Sequence, residues 1–347
     1  MSKNLLIFKE KLEKQGAHVV PIDISPGGLV RGISYHLTKI KKVFLAVCKI
    51  AKMQKQTDLK FYMPPDGGYG IIYSILLTTS ALIKGCEVYL HHRSYAYINN
   101  KSVLMKILCN LSKHKITHIF LSDGMAKDFS EKYSVQNYFI VSNLIHVKPW
   151  FDTLSLDKNN YKLDGVLRFG FLSNISFEKG FRDAVNTVLA LNNQGVAASL
   201  KVGGVCDNAE VQAYCDEVTR LYPEMIKIEG FVDKERKRNF FSDIDWFLFP
   251  TRYKNEAQPN VLFESVAAGI PFMTIERGCI KGDFKDYAFV FDHTEDFVKI
   301  AVENILKNLN ENAYYNIRED LITHSKSNLN KAVFDEKIMY ENVLEQN

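Results

Sequence analysis

The stretch "TRYKNEAQPNVLFESVAAGIPF", Thr251 to Phe272, sets two glutamates, Glu256 and Glu264, on either side of a proline where a helix should begin. Pro259 suits a first helical turn, because its missing N–H would be unpaired there anyway. Val261, Leu262, Phe263 and Val266 supply an apolar face, and Gly269 followed by Pro271 is a stop signal. The flanking runs "DWFLFP" (Asp245–Pro250) and "PFMTI" (Pro271–Ile275) are short, apolar and strand-like. The unit reads strand, loop, helix, strand, with Glu256 in the loop and Glu264 inside the helix. Loops at the carboxyl ends of parallel strands are where open α/β sheets take ligands. A helix N-terminus adds free N–H groups and a partial positive charge, which favour a phosphate.

The same alternation extends in both directions. Towards the C-terminal side of the chain, "LRFGFLS", "ASLKVGG" and "IKIEGF" read as strands, with helices at "EKGFRDAVNTVLALNNQG" and 208–221 and a helix capped by Asp233. From Glu295 onward the pattern predicts three helices. In the first half, "HVVPIDI", "LKFYMP", "CEVYLH", "THIFLS" and "YFIVSN" read as strands between helices, the first of which is "NLLIFKEKLEKQG". Polar residues around 150–164 break the rhythm and mark a linker. Two successive βα series in 347 residues predict two doubly wound α/β domains, 1–155 and 165–330, with a last helix over 331–347 packing back on the first.

Composition narrows the class. The chain has no apolar run of about 18 residues, and its polar start is neither a signal peptide nor a span. Six scattered cysteines without a CxxC pair fit reduced thiols in a cytoplasmic protein. The net charge of +4 hides a split: residues 1–150 hold 21 basic against 9 acidic side chains, and residues 151–347 hold 23 against 31. Lysines within "HLTKIKKVFLAVCKIAKMQKQ" alternate with apolar residues at helical spacing, the pattern of a helix on an anionic membrane surface or beside an anionic substrate. No nucleic-acid module accompanies the basic half, so nucleic acid is not expected as a partner.

Three stretches, in order, carry a family resemblance: "FLSNISFEKGFRDAV", "IKIEGFVDKERKRNFFSDIDWFLFPT" and "NEAQPNVLFESVAAGIPF". Over roughly 167–275 the chain resembles the retaining glycosyltransferases of family 4. The resemblance implies the GT-B fold, two Rossmann-like domains facing across a cleft, and transfer of a sugar from a nucleotide-diphosphate donor without cofactor or metal. The acceptor it implies is a glycan or a lipid-linked precursor, as in cell-surface polysaccharide or lipopolysaccharide assembly. Lys179 and the amides of Asn260 and Val261 would face the leaving diphosphate. Glu256 would hold the donor sugar, Glu264 the ribose hydroxyls, and Gly230 would precede the base. His92, with His91 behind it, matches a histidine that touches the sugar. Gly67 and Gly68 are the preferred phosphate or acceptor loop, over Gly27–Gly28.

The chain departs from the family where an arginine is usual: Ser173 and Asn174 stand there, with Arg252 as the substitute. Two other readings keep the architecture, a sugar-nucleotide epimerase and a nucleotide-sugar-binding subunit without turnover. Metal ligation has little support. His114 and His118 in "HKITH" run into a strand and would lie more than about 10 Å apart, and Asp243 and Asp245 read as a turn before a buried strand.

Overall fold

The computed structural model describes residues 3–27, 32–54, 58–154 and 165–344. By contact, the chain divides into Met1–Val141 with Phe334–Asn347, and Ser142–Val333.

The first unit contains α1 (Lys3–Lys14), α2 (Ile33–Lys52), β1 (Lys60–Met63), α3 (Ile71–Ile83), β2 (Glu87–His91), α4 (Ala96–Asn99), α5 (Val103–Asn110), β3 (Ile116–Phe120), α6 (Asp123–Tyr133) and β4 (Tyr138–Ile140). Its sheet is parallel in the order β1-β2-β3-β4. With strands in sequential order, right-handed crossovers put α3, α5 and α6 on one face. Phe8 and Leu12 of α1, with Met339, Tyr340 and Val343, bury Tyr89, Ile119 and Val141. Phe8 stacks on Tyr62 at 3.9 Å, and Lys11 reaches Glu336 at 2.7 Å.

"HVVPIDI" is not a strand: residues 17–27 carry no regular structure. Pro21 has no N–H for a ladder, and lysines of α2 capture this segment instead. Lys49 donates to the Pro21 carbonyl at 3.3 Å, and Lys42 reaches Asp23 at 3.3 Å and the Ser25 carbonyl.

The second unit runs α7 (Lys148–Phe151), β5 (Leu167–Leu172), α8 (Phe181–Asn193), β6 (Ala198–Gly203), α9 (Ala209–Leu221), β7 (Ile226–Ile228), α10 (Arg236–Ser242), β8 (Trp246–Phe249), α11 (Asn260–Ala267), β9 (Phe272–Ile275), α12 (Ile280–Asp283), β10 (Val290–Phe291), α13 (Phe297–Lys307) and the start of α14 (Glu311–Leu344). Its parallel sheet has the order β10-β9-β8-β5-β6-β7. β8 shows why: Trp246 and Leu248 enter one core, and Phe247 and Phe249 enter the other. A strand buried on both faces reads as a continuous apolar run.

The sequence puts the linker at 150–164, of which 155–164 lie outside the described residues. Residues 142–154 already belong to the second unit, because Leu144, Ile145, Val147 and Phe151 are buried with Phe240 and Phe263. The tail holds two helices, not three. No glycine or proline interrupts 311–344, and the apolar phase changes only because Leu321, Ile322 and Leu329 serve the second unit's core while Met339 and Tyr340 serve the first.

Candidate functional site

From β5 the chain winds outward through β6 and β7, then returns to β8 and winds the other way, so β5 and β8 are neighbours at a topological switch point. Loops leaving two such strands diverge and open a crevice at their carboxyl ends. The first loop carries Lys179 and the second Glu256. They meet: Lys179 Nζ lies 2.5 Å from Glu256 Oε2, although 77 residues separate them. Thr251 Oγ1 donates to the same oxygen at 3.4 Å, and the ammonium sits over the Tyr253 ring at 4.8 Å.

The backbone fixes this meeting. Ser176 Oγ accepts from the Lys179 amide at 3.1 Å, and the Arg252 amide donates to the Glu178 carbonyl at 2.7 Å. Gly180 has φ +83°, and a Cβ built there would stand 2.1 Å from the Pro250 carbonyl oxygen. Only glycine lets the two loops close on each other. Gly180→Ala is therefore expected to destabilise the fold by more than the roughly 1–2 kcal/mol of a left-handed backbone alone, read as a lowered urea midpoint. An unchanged midpoint would show that the loops separate without cost.

The second glutamate lies inside α11. Pro259 caps α11 and is buried, Asn260 opens the helix, and Val261 follows. Asn260 Oδ1 is buried with no hydrogen-bond partner among the described residues. Glu264, 5 % exposed, receives Lys237 of α10 at 2.5 Å. Below the loop, Gln258 Nε2 donates to both carboxylate oxygens of Asp283, at 3.0 and 2.9 Å, and its Oε1 accepts from the Asn143 amide at 2.7 Å. Burial pushes the Asp283 carboxyl up to about 8, against the pull of the Gln258 hydrogen bond.

A third loop, after β9, packs on the loop that carries Glu256. Gly278 has φ +52°, and a Cβ there would stand 2.3 Å from the Glu256 carbonyl oxygen. The Cys279 amide donates to the Ala257 carbonyl at 2.8 Å. Arg277, next to Gly278, has a buried Nε with no hydrogen-bond partner among the described residues.

Other expected residues lie elsewhere. Arg252 turns its guanidinium to Asp183 of α8, with Nε 2.8 Å from Oδ2, and is not aimed at the Lys179–Glu256 pair. Asn174 is exposed. Gly230 adopts φ +70°, accepts from the Gly204 amide at 2.7 Å and borders an open groove of ≈ 640 Å³ shared with Gly204, Cys206, Cys215 and Arg220. In the first unit, His92 is fully buried. Its Nδ1 is 2.9 Å from the Tyr97 hydroxyl, its Nε2 is 2.8 Å from His118 Nδ1, and Phe120 and Phe129 pack on the ring. Both nitrogens are taken, so His92 has none to offer a sugar. His91 is also buried, 2.6 Å from the Tyr62 hydroxyl. Gly67 and Gly68 form the turn from β1 to α3, with Gly68 at φ +55°, and Gly28 lies outside the described residues.

Among the described residues, the ligand atoms of Glu276, Asp292 and His293 lie within 4.8 Å of one another. They stand at the surface, and Lys281 Nζ already occupies Glu276 at 2.6 Å. Asp245 is paired with Arg168 at 3.2 Å, and Asp243 with Lys201 at 2.6 Å, so both aspartates are structural.

Residues 167–308 match the family described as glycosyl transferases group 1. Among solved structures, a glycosyltransferase from Rickettsia africae is similar at TM-score 0.66 and 13% identity, covering 98% of this chain and 88% of that one. Alr3699/HepE of Anabaena, in complex with UDP and glucose, follows at 0.65 and 15%, covering 98% and 89%. A UDP-forming trehalose-phosphate synthase from Burkholderia xenovorans gives 0.62 and 11%, covering 89% and 80%. No curated protein matches the chain. At these identities the likeness is one of fold: the two parallel α/β sheets are those of GT-B glycosyltransferases, as the sequence implies.

Within residues 167–308, sequence reading missed Lys237, Arg277 and Gly278. Lys237 stands in the surface-like run "DKERKR", and nothing local distinguishes it from its neighbours. Gly278 follows a strand and precedes a helix, the same signal that singled out Gly67–Gly68.

Proposed function

We propose that this protein is a retaining glycosyltransferase that moves a sugar from a nucleotide-diphosphate donor to a glycan or lipid-linked acceptor in cell-surface polysaccharide assembly. The observation that carries the reading is the Lys179–Glu256 pair at the switch point, beside the N-terminus of α11. In the transfer, the bond from the anomeric carbon to the diphosphate breaks, and an acceptor oxygen forms its bond on the same face. The acceptor's proton passes to the departing phosphate oxygen. Negative charge grows on that phosphate, where fixed donors count most. Lys179, the α11 amides and Arg277 meet it there, so no divalent ion is required. Glu256 accepts hydroxyls of the sugar. Lys237 holds Oε2 of Glu264 and leaves Oε1 to accept from the ribose.

Uridine diphosphate is the first nucleotide to test, given the ligand of the Anabaena neighbour. A bound donor raises the melting temperature with the logarithm of its saturation. Stabilisation by UDP-sugar, with UDP released in the presence of EDTA, is the expected result, and the anomeric configuration of the product reports retention. No shift with any nucleoside diphosphate would remove the reading. Arg277→Ala should weaken donor binding about tenfold, the value of one hydrogen bond to a charged group. Arg252→Ala should change it less, because that guanidinium is exposed and already paired.

A further inference from the structure

The first unit carries a surface that its own fold leaves uncovered. α2 has two apolar stripes. Val43, Ala46 and Ile50, with the stem of Lys39, face inward, and α2 packs on α3. The second stripe, Ile33, Leu37, Ile40 and Phe44, follows the i, i+4, i+7, i+11 spacing of a face meant for burial. These four side chains are nevertheless 52–81% exposed. α3 repeats the device with Ile72, Leu76 and Ile83 at i, i+4 and i+11, all exposed, and α5, packed on α3, adds Val103 and Ile107. Neighbouring helices thus present outward apolar rows, more than the scattered apolar residues normal at a surface.

Charge decides what covers them. None of the three helices contains an aspartate or glutamate, while α2 exposes Lys41, Lys49 and Lys52 and α5 exposes Lys106. The nearby acids are already engaged: Asp66 lies 3.2 Å from Lys39, and Asp23 3.3 Å from Lys42. Exposed apolar rows beside acid-free basic flanks suit a surface that is apolar below and anionic above. We propose that the α2–α3–α5 face seats the protein on an anionic lipid bilayer. Ile33, Leu37, Ile40 and Phe44 enter the headgroup–acyl boundary, and the lysines contact lipid phosphates. No helix among the described residues is long and apolar enough to cross a membrane. The proposal stands on the first unit alone and does not need the transferase reading.

Sedimentation with vesicles tests it, using phosphatidylcholine with and without phosphatidylglycerol. The full chain should pellet with the anionic vesicles, and added salt should release it. Leu37→Asp with Phe44→Asp should cut the bound fraction by at least about tenfold, since each buried apolar side chain is worth about that factor. Both sites are exposed, so the fold should not suffer, and an unchanged melting temperature checks it. Lys41→Glu with Lys52→Glu should weaken binding and flatten its salt dependence, each lysine contributing a factor of about five. Any of three results would overturn the proposal: no pelleting, equal binding to both vesicle types, or variants that bind like the parent. Light scattering that shows a dimer abolished by Phe44→Asp, without vesicle binding, would assign the face to a second copy instead. Stabilisation by UDP should be the same in parent and variants, so loss of lipid binding and failure of the donor site are separable.

Discussion

Lys179→Ala is expected to lower kcat by about 10²–10³-fold with a smaller change in KM, the loss typical of one fixed donor facing developing charge. Two magnitudes set this ranking. A full charge about 4 Å from the leaving phosphate is worth about 4 kcal/mol at an effective dielectric near 20. A helix terminus contributes roughly 0.3–2 kcal/mol. Changes at the tip of α11 should therefore cost less than loss of the lysine. The ion pair gives a sharper test. In the free protein Lys179 neutralises Glu256, whose side chain is only 13% exposed. Without the ammonium, that carboxylate stands uncompensated where the diphosphate must enter, and it repels the donor as well as failing to help. Lys179→Ala with Glu256→Gln should then recover part of the donor affinity lost in Lys179→Ala alone, because residues in contact do not act additively. Single-turnover and binding measurements on the two single variants and the double variant decide it. Near-parental turnover by Lys179→Ala, or losses that simply multiply, would end the proposed role.

That lysine was legible in the sequence because local signals and topology coincide. "SFEKG" precedes a helix and "NEAQPN" precedes another, each after a strand, and loops at the carboxyl ends of parallel strands are where such sheets take ligands. The spacing of 77 residues is invisible to local pattern, yet parallel pairing of β5 and β8 closes it to one hydrogen bond. Lys237 and Arg277 were not legible, since a lysine in a basic run and an arginine after a strand become distinctive only when a buried carboxylate or loop lies opposite. "HVVPIDI" misleads through composition: its β-branched residues suit a strand, but Pro21 and the lysines of α2 give its carbonyls other partners. His92 misleads through position. The end of a strand is where ligands bind, but the ring is sealed by Tyr97, His118 and two phenylalanines, and its chemistry is that of a buried base.

That burial carries the second large effect, loss of stability in acid. Burial holds His118 down to about 3, and burial with the neighbouring His118 holds His92 well below its ordinary value. His92 bonds the Tyr97 hydroxyl through Nδ1 and His118 Nδ1 through Nε2, and the contact between the rings holds one hydrogen, so both cannot be protonated without breaking it. In the unfolded chain both titrate near 6.5. As pH falls below that value the unfolded state gains protons that the folded state refuses, so stability is present at neutral pH and lost on acidification. The loss approaches about 1.4 kcal/mol per pH unit for each ring, or up to about 4 kcal/mol for the pair at pH 5. Against a typical 5–15 kcal/mol for a whole domain, that is enough to open the first unit locally. Both tryptophans, Trp150 and Trp246, lie in the second unit, so their fluorescence would not report it. Amide exchange in peptides spanning β2 and β3 would. After correction for intrinsic rates, those peptides should lose protection between pH 6.5 and 5, and His118→Asn, which keeps a partner for His92, should halve the slope. Equal protection at pH 7 and pH 5 would mean that the two rings accept protons where they stand.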